Sequence, residues 1–354
     1  MRINNKLRGT PLLVGILTTE GKHSALTGNF KLFRDLSMKL ADQGGTVIVI
    51  TPEFLKDNVL KHGYVYDKEK NSWVLTKLNR YPDVFYNRIP YRKDENSESF
   101  HTFSSWCKEC NIPMFNCTFF KKWDIYKSLL KDTKLKQHLP FTQLLQSKEQ
   151  VEQLLNDHTS LYLKPNNGSK GDGIFVLSKY EDHTYHIKGH NGMYGTSFFQ
   201  NIWEKKVMPL ILKREYILQH RVEIAKHHDQ CYDYRVFAHN VNNQWVVSGI
   251  GIRQSKANGI TTHVLKGGQI LDVEEVTKTE DIEFIHYLAG RCGDMLEKTF
   301  GIGCIKEFSM DIGKTVEGEF YIFDVNSKPM KFDELDIYEN GLNHLVRIFL
   351  EYKK

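Results

Sequence analysis

The sequence predicts an α/β domain in the first third of the chain and an α+β arrangement in the rest. In the first third, a strand-length apolar run, a helical pattern and a β-branched run follow one another within about 40 residues, the size of a βαβ unit. After residue 215, strand-like runs recur with one long helical pattern among them. At about 150 residues per domain, a chain of 354 residues favours two to three domains.

The composition excludes several classes of protein. The chain is 40% hydrophobic and 26% charged, with a net charge of +5, so it is not disordered, collagen-like or a coiled coil throughout. The longest apolar run, residues 11–17, is far short of the roughly 18 residues that cross a bilayer, and no signal-peptide pattern opens the chain. Six cysteines are too few for a disulfide scaffold. We therefore expect a cytoplasmic protein with free thiols and no membrane partner.

The first domain is predicted from a series of alternating elements. Residues 12–18 form a strand, residues 30–41 form a helix that Gly44 and Gly45 stop, and residues 46–51 form a second strand closed by Pro52. A parallel sheet follows from this order. Further strands are predicted at 73–78 and 84–86, and a further helix at 98–110. The domain is expected to end near Cys117, covering residues 1–117.

The rest of the chain is divided at residue 213. Residues 119–130 have a helical pattern, and residues 161–177 read as two strands joined by a nine-residue glycine-bearing loop. A hairpin loop of that length is usually functional. Residues 181–213 show no clear periodicity. Later strands are predicted at 216–219, 234–238, 245–252, 308–312 and 320–325, and a helix at 281–300, which gives predicted domains at 118–213 and 214–354.

The loop KPNNGSKGDG is the first candidate site. Gly168, Gly171 and Gly173 permit positive-φ backbone, so that N–H groups converge on an anion, with Ser169 between them and Lys164 in the first strand. The loop matches neither the P-loop nor the dinucleotide-binding pattern. Taken alone, it leaves a generic turn as the alternative.

Acidic residues near the C-terminus form a second candidate site. Asp324 and Asn326 are two apart, so that they point to one face of a strand, and a hairpin would place Asp311 beside them. Three oxygen ligands suit Mg²⁺, which completes its shell with water and phosphate. The alternative is a pair of solvated strand ends.

Two further groups are weaker candidates. Asn87, Arg88 and Arg92 in YNRIPYR are of the type that binds an anionic substrate, although surface salt bridges explain them equally well. Cys107, Cys110 and Cys117, with His101 before them, suggest zinc. Because the CxxC lies in a helical pattern and no second pair follows, zinc is disfavoured. No basic stretch is interleaved with aromatic residues, so we expect no nucleic-acid partner.

Together, the two candidate sites resemble the ATP-grasp fold. YLKPNNGSKGDGI is similar to its lysine strand and phosphate loop, and SMDIGKTVEGEFYIFDVNSKP to its metal-binding strands. More narrowly, VGILTTE, YPDVFYNRIPYR, FFKKWDIYKSLL, GIGIR and DVNSKP resemble the YheC/YheD family of endospore coat-associated ATP-grasp proteins. The resemblance covers nearly the whole chain. It implies two α+β lobes that clasp a nucleotide, preceded by a Rossmann-like pre-ATP-grasp domain.

The resemblance assigns a role to each matching residue. Lys122 and Lys164 match the lysines that reach the α- and β-phosphates, and Arg253, with Arg235 beside it, matches the arginine that neutralises the transferred phosphate. Residues 216–222 match the hinge that holds adenine. The remaining matches are Gln219 near adenine, Glu223 or Asp233 for ribose, and Asp311, Asp324 and Asn326 for metal.

The implied activity is an ADP-forming ligase that uses ATP with one or two Mg²⁺ ions, or Mn²⁺ in their place, to join an unidentified carboxylate to an amine. Three positions depart from the family pattern: Asp324 replaces Glu, His263 replaces Asn and Met330 replaces Gly. The alternative is therefore a structural protein of the spore coat that keeps the fold without the reaction and has other coat proteins as partners.

Overall fold

The computed structural model describes residues 10–21, 24–168, 171–189, 194–257, 259–262 and 267–353. Three six-stranded sheets carry the described part of the chain, together with one two-stranded hairpin. We number the strands and helices in chain order.

The first sheet is formed by residues before Cys117. Its strands and flanking elements are β1 (Leu13–Leu17), α1 (Phe30–Asp42), β2 (Thr46–Ile50), the β3–β4 hairpin (Leu55–Lys56 and Val59–Leu60), β5 (His62–Asp67), β6 (Ser72–Lys77), β7 (Val84–Asn87), α2 (Arg92–Glu95), α3 (Glu98–Glu109) and β8 (Met114–Phe115). The sheet order is β6-β5-β2-β1-β7-β8. The predicted parallel pairing is confirmed for β1, β2, β7 and β8, whereas β5 and β6 form an antiparallel hairpin at one edge.

Helix α1 illustrates why the spacing of apolar residues predicted a helix correctly in this region. The Asn29 side chain caps the helix by accepting from the Leu32 N–H, and the apolar positions Phe33, Leu36 and Leu40 are fully buried against the first sheet.

The second sheet contains the glycine loop. Its elements are α4 (Lys122–Leu129), β9 (Thr142–Leu144), α5 (Lys148–His158), β10 (Ser160–Pro165), β11 (Phe175–Lys179), β12 (Tyr185–Gly189), β13 (Tyr194–Ser197), α6 (Phe199–Ile202), α7 (Met208–Ile211) and β14 (Tyr216–His220). The sheet order is β13-β12-β11-β10-β14-β9, and the predicted β10–β11 hairpin is confirmed. Because β14 pairs with β10 and β9, this sheet extends past the domain division predicted at residue 213.

The third sheet contains most of the charged residues that the sequence predicts for the candidate sites. Its elements are β15 (Lys226–His227), β16 (Gln230–Val241), β17 (Gln244–Gln254), β18 (Gln269–Leu271), α8 (Thr279–Phe300), β19 (Glu307–Lys314) and β20 (Phe320–Asn326). The order is β18-β17-β16-β19-β20, with β15 on β16. Strand β16 is longer than predicted, since polar side chains such as Asp233 and His239 interrupt its apolar pattern.

The C-terminal helix α9 (Leu335–Leu350) joins the first and third sheets. It contacts α1, β16 and β17, and it buries Leu342, Leu345 and Phe349 in the same apolar cluster as Val14 of the first sheet. Among the described residues, no helix is long and apolar enough to cross a membrane.

We expect Leu345→Ala to destabilise the protein by about 2–5 kcal/mol, because it leaves a cavity between α9 and the first sheet. Leu335→Ala, at the 77% exposed first residue of the same helix, should change the free energy of unfolding by less than about 0.5 kcal/mol. Urea unfolding of both variants measures the difference. Equal effects would show that α9 does not hold these sheets together.

Candidate functional site

A cavity of about 660 Å³ lies where the second and third sheets meet the segment before α4. Its wall is formed by side chains that are far apart in the sequence. Predicted site residues in the lining are Lys122, Lys164, Gly168, Gly171, Gln219, Glu223, Asp233, Arg235, Arg253, Asp311, Asp324 and Asn326. The structure therefore brings together residues from both candidate sites of the sequence.

Lys164 is a buried cation in this wall. It lies on β10, and its Nζ donates to Gln219 Oε1 at 2.6 Å and lies 5.1 Å from the centre of the Tyr162 ring. Gln219 in turn donates to Thr142. Burial, together with the charge of Lys122, lowers the pKa of Lys164 to about 8. Gln219 therefore positions Lys164, a role that the sequence did not indicate.

The pKa of Lys164 predicts how ATP affinity depends on pH. A phosphate favours the charged ammonium, so binding above about pH 8 requires uptake of a proton. Affinity should be level below that pH and weaken by up to about tenfold per pH unit above it. Isothermal titration calorimetry between about pH 7 and pH 9 measures this slope. In Lys164→Arg the slope should be smaller, since arginine stays charged; identical slopes would contradict this role.

Lys122 is fixed by its backbone and by its side chain. It begins α4, where its N–H donates to the Asn166 carbonyl at 3.1 Å, and the Asn166 side chain accepts from the Trp123 N–H at 2.9 Å. Its ammonium forms an ion pair with Asp324. Asn166, which is buried and also donates to Glu215, thus connects the end of β10 to α4. This connection could not be predicted from the sequence, since only the fold places the two segments together.

Arg253 is the least satisfied charged group of the site. It lies on β17, it is 5% exposed, and its Nε and Nη2 have no hydrogen-bond partner within the described residues. Burial and the nearby Arg235 lower its pKa. Arg235 is paired, since its Nη1 donates to Asp311 at 2.9 Å. Buried donors without partners are costly, so these two donors are available to an anionic group in the cavity.

The three predicted metal ligands meet on β19 and β20. Asp311 is directly opposite Asp324 across the two strands, beside a β-bulge, and Asn326 is two residues farther along β20. The Asn326 side chain hydrogen-bonds to Asp324. Although burial alone raises the pKa of Asp324, Lys122 lowers it, which favours the ionised form. Two carboxylates and one amide oxygen fit Mg²⁺. The described part of the chain contains no cluster of three or more His, Cys, Asp or Glu residues with metal-site geometry.

The glycine loop is described in part. Gly171 and Gly173 have φ values of +70° and +75°, as the sequence predicted for a loop that requires glycine, whereas Gly168 does not adopt a positive φ. Gly171 lines the cavity, whereas a Cβ on Gly173 would meet the Arg214 side chain, so that Gly173 shapes the loop from outside the lining. Ser169, Lys170 and His263 lie outside the described residues.

The two candidate ribose ligands differ in their surroundings. Glu223 is exposed at the rim of the cavity. Asp233 is inside it and accepts a hydrogen bond from Thr262. Burial and the charge of Asp311 raise the pKa of Asp233 to about 7. Glu223 is thus accessible to a ligand, whereas Asp233 is already engaged by Thr262.

Asn87 and Arg88 do not reach this cavity. Arg88 pairs with buried Glu307 at 3.0 Å, and the Asn87 side chain donates to Glu95. Their prediction as substrate ligands finds no support in this geometry, because both are already bound within the protein. Arg92, from the same segment, does line the cavity.

The cysteines have surroundings that the sequence did not reveal. Cys107 lies on the buried face of α3, and Cys110 is exposed where α3 ends. Cys117 instead lies beside Cys304, with its Sγ 3.5 Å from the Cys304 carbonyl oxygen.

Comparison with known proteins agrees with this geometry. The family described as "YheC/D like ATP-grasp" matches residues 111–354. YheD from Bacillus subtilis, an endospore coat-associated protein, is 30% identical over 278 residues, which are 73% of this chain and 59% of YheD. YheC from the same organism is 25% identical over 321 residues, 83% of this chain and 84% of YheC. The chain thus spans less than two thirds of YheD.

Solved structures with low identity share the fold. D-alanyl-alanine synthetase A from Vibrio cholerae matches with a TM-score of 0.56 and 15% identity, covering 97% of this chain and 98% of that one. N5-carboxyaminoimidazole ribonucleotide synthetase, solved with ADP, matches with a TM-score of 0.57 and 14% identity, and the match covers 97% of this chain and 79% of that one. The ATP-grasp ligase PsnB matches with a TM-score of 0.55 and 11% identity, and the match covers 97% of this chain and 100% of that one. The chain has the ATP-grasp fold and belongs to the YheC/D-like ATP-grasp family.

Proposed function

We propose that the protein is an ATP- and Mg²⁺-dependent ligase that activates a carboxylate as an acyl phosphate for attack by an amine. The observation that carries this proposal is the buried guanidinium of Arg253, whose free donors share one cavity with Lys122, Lys164 and two opposed aspartates. The known ligases among the structural relatives support it. The residues before 117 are proposed to form the pre-ATP-grasp domain.

The proposed reaction has two steps. A carboxylate oxygen attacks the γ-phosphorus of ATP, an O–P bond forms, and the bond to the β-phosphate oxygen breaks to release ADP. An amine then attacks the acyl carbon, a C–N bond forms, the C–O bond to phosphate breaks, and the amine loses a proton. Both steps develop negative charge on oxygen.

The residues of the cavity match these demands. Lys164 and Lys122 offset the charge of the phosphates, and Arg253 donates to the transferred group or to the oxyanion. Asp311, Asp324 and Asn326 would hold Mg²⁺, which when bound neutralises phosphate charge. The glycine loop would cover the site, because water hydrolyses an acyl phosphate. The ion pairs of Lys122 with Asp324 and of Arg235 with Asp311 balance these charges within the protein.

Two measurements test the proposal. Isothermal titration calorimetry with ATP and Mg²⁺ should show binding that Lys164→Ala removes. Incubation with pooled carboxylates and amines should release ADP and phosphate. An absence of ATP binding, or binding that Lys164→Ala leaves unchanged, would reject the nucleotide site. Release of AMP and pyrophosphate would reject the acyl-phosphate route.

A structural role in the spore coat is the second candidate, favoured by the names of the two relatives. It predicts that Arg253→Ala and Asp324→Ala leave the spore phenotype unchanged. A ligase would lose function in both variants.

A further inference from the structure

Arg92 is a cation of the cavity wall that the proposed chemistry does not use. It begins α2, and its Nη2 donates to the Phe120 carbonyl at 2.7 Å while its guanidinium lies over the Phe119 ring at 4.9 Å. Among the described residues, no carboxylate pairs with it within salt-bridge distance. The hydrogen bond and the ring therefore fix the plane of the guanidinium without neutralising its charge.

Arg92 shares the cavity wall with Asp324, one of the proposed metal ligands. Asp324 and Glu95 are the carboxylates whose charges oppose the lowering of its pKa by burial. Glu95 is already bound by Lys328 and Asn87, so it leaves little charge for Arg92. Asp324 belongs to the proposed metal site, so its charge influences Arg92 from that part of the wall.

We propose that Arg92 binds a carboxylate of the substrate other than the one that is activated, so that the substrate is a dicarboxylate. This inference rests on the proposed ligase function. A guanidinium fork holds both oxygens of a carboxylate. A carboxylate held in this way has both oxygens hydrogen-bonded to a cation and is therefore a weaker nucleophile, so the proposal places the reacting carboxylate on a different group, facing Arg253. Lysine at this position would lack the planar fork.

Hydroxylamine trapping tests this specificity. The probes are succinate, glutarate and adipate, each paired with its monomethyl ester, and the product is the hydroxamate formed with ATP and Mg²⁺. Hydroxylamine nitrogen attacks the acyl carbon and displaces phosphate. The wild-type protein should favour at least one diacid over its ester by about tenfold or more in kcat/KM. In Arg92→Gln this ratio should approach one while ATP binding persists.

The matched control is Lys93→Gln, which removes the same charge from the exposed neighbouring residue and should keep the wild-type ratio. Arg92→Lys should retain part of the preference. The inference is overturned if the wild-type protein does not distinguish diacid from ester, or if Arg92→Gln weakens ATP binding and leaves the ratio unchanged. If no acid yields hydroxamate, the ligase proposal and this inference both fail, which is a different result from turnover without a preference.

Discussion

Arg253→Ala should lower the rate of hydroxamate formation about 10²- to 10³-fold, the loss typical of a preorganised donor to a developing oxyanion. The reason is that Arg253 holds two buried donors without partners, ready for the anion that the reaction creates. Rapid-quench measurement of ADP and hydroxamate gives this rate. Arg253→Lys should recover only part of it, because an ammonium lacks the fork.

Stability measurements separate this effect from damage to the fold. Unsatisfied buried donors destabilise a protein, so Arg253→Ala should leave the free energy of unfolding unchanged or raise it by about 1 kcal/mol. Arg34→Ala, on the surface of α1, serves as the control and should change neither rate nor stability appreciably. A slow Arg253→Ala enzyme that is also strongly destabilised would contradict the assignment.

Asp324→Asn should have the second large effect, on the dependence of ATP binding on Mg²⁺. Asp324 forms an ion pair with Lys122, and it is proposed to hold metal when ATP binds. The variant should bind ATP with Mg²⁺ at least about tenfold more weakly. Without metal it should bind ATP as well as the wild-type protein or better, because Lys122 is freed for phosphate.

Titrations with Mg²⁺ and with EDTA measure both affinities. Asp333→Asn changes an exposed aspartate in the next loop and should leave them unchanged. Equal weakening of ATP binding by Asp324→Asn with and without Mg²⁺ would contradict a metal role for this residue.

Local patterns predicted most elements of the fold. The buried positions of α1 recur at helical spacing, and the β-branched run at 46–51 became β2. Helix α9 was missed although it is strongly amphipathic, and residues 181–213 contain β12 and β13, whose polar and aromatic residues hide the alternation of a strand. Strand β5 was not predicted at all, so the antiparallel hairpin that it forms with β6 was missed as well.

The charged residues of the candidate site were predicted from the sequence, but the contacts that position them were not. Lys164 and the two aspartates were predicted from local patterns, whereas Lys122 and Arg253 were predicted only from the resemblance to a family. The structure places all of them in one cavity. The positioning roles of Gln219 and Asn166 depend on contacts between distant segments, which no local pattern carries. For the same reason the sequence could not separate Arg92, which reaches the cavity, from Arg88, which Glu307 binds.

The acyl-phosphate route is tested most directly by following oxygen from the carboxylate. The protein is incubated with ATP, Mg²⁺, hydroxylamine and dicarboxylates labelled with ¹⁸O, and the phosphate formed is examined by ³¹P NMR. The proposed reaction predicts ADP and inorganic phosphate that carries one ¹⁸O from the carboxylate. Unlabelled phosphate, release of AMP and pyrophosphate, or no consumption of ATP would contradict it.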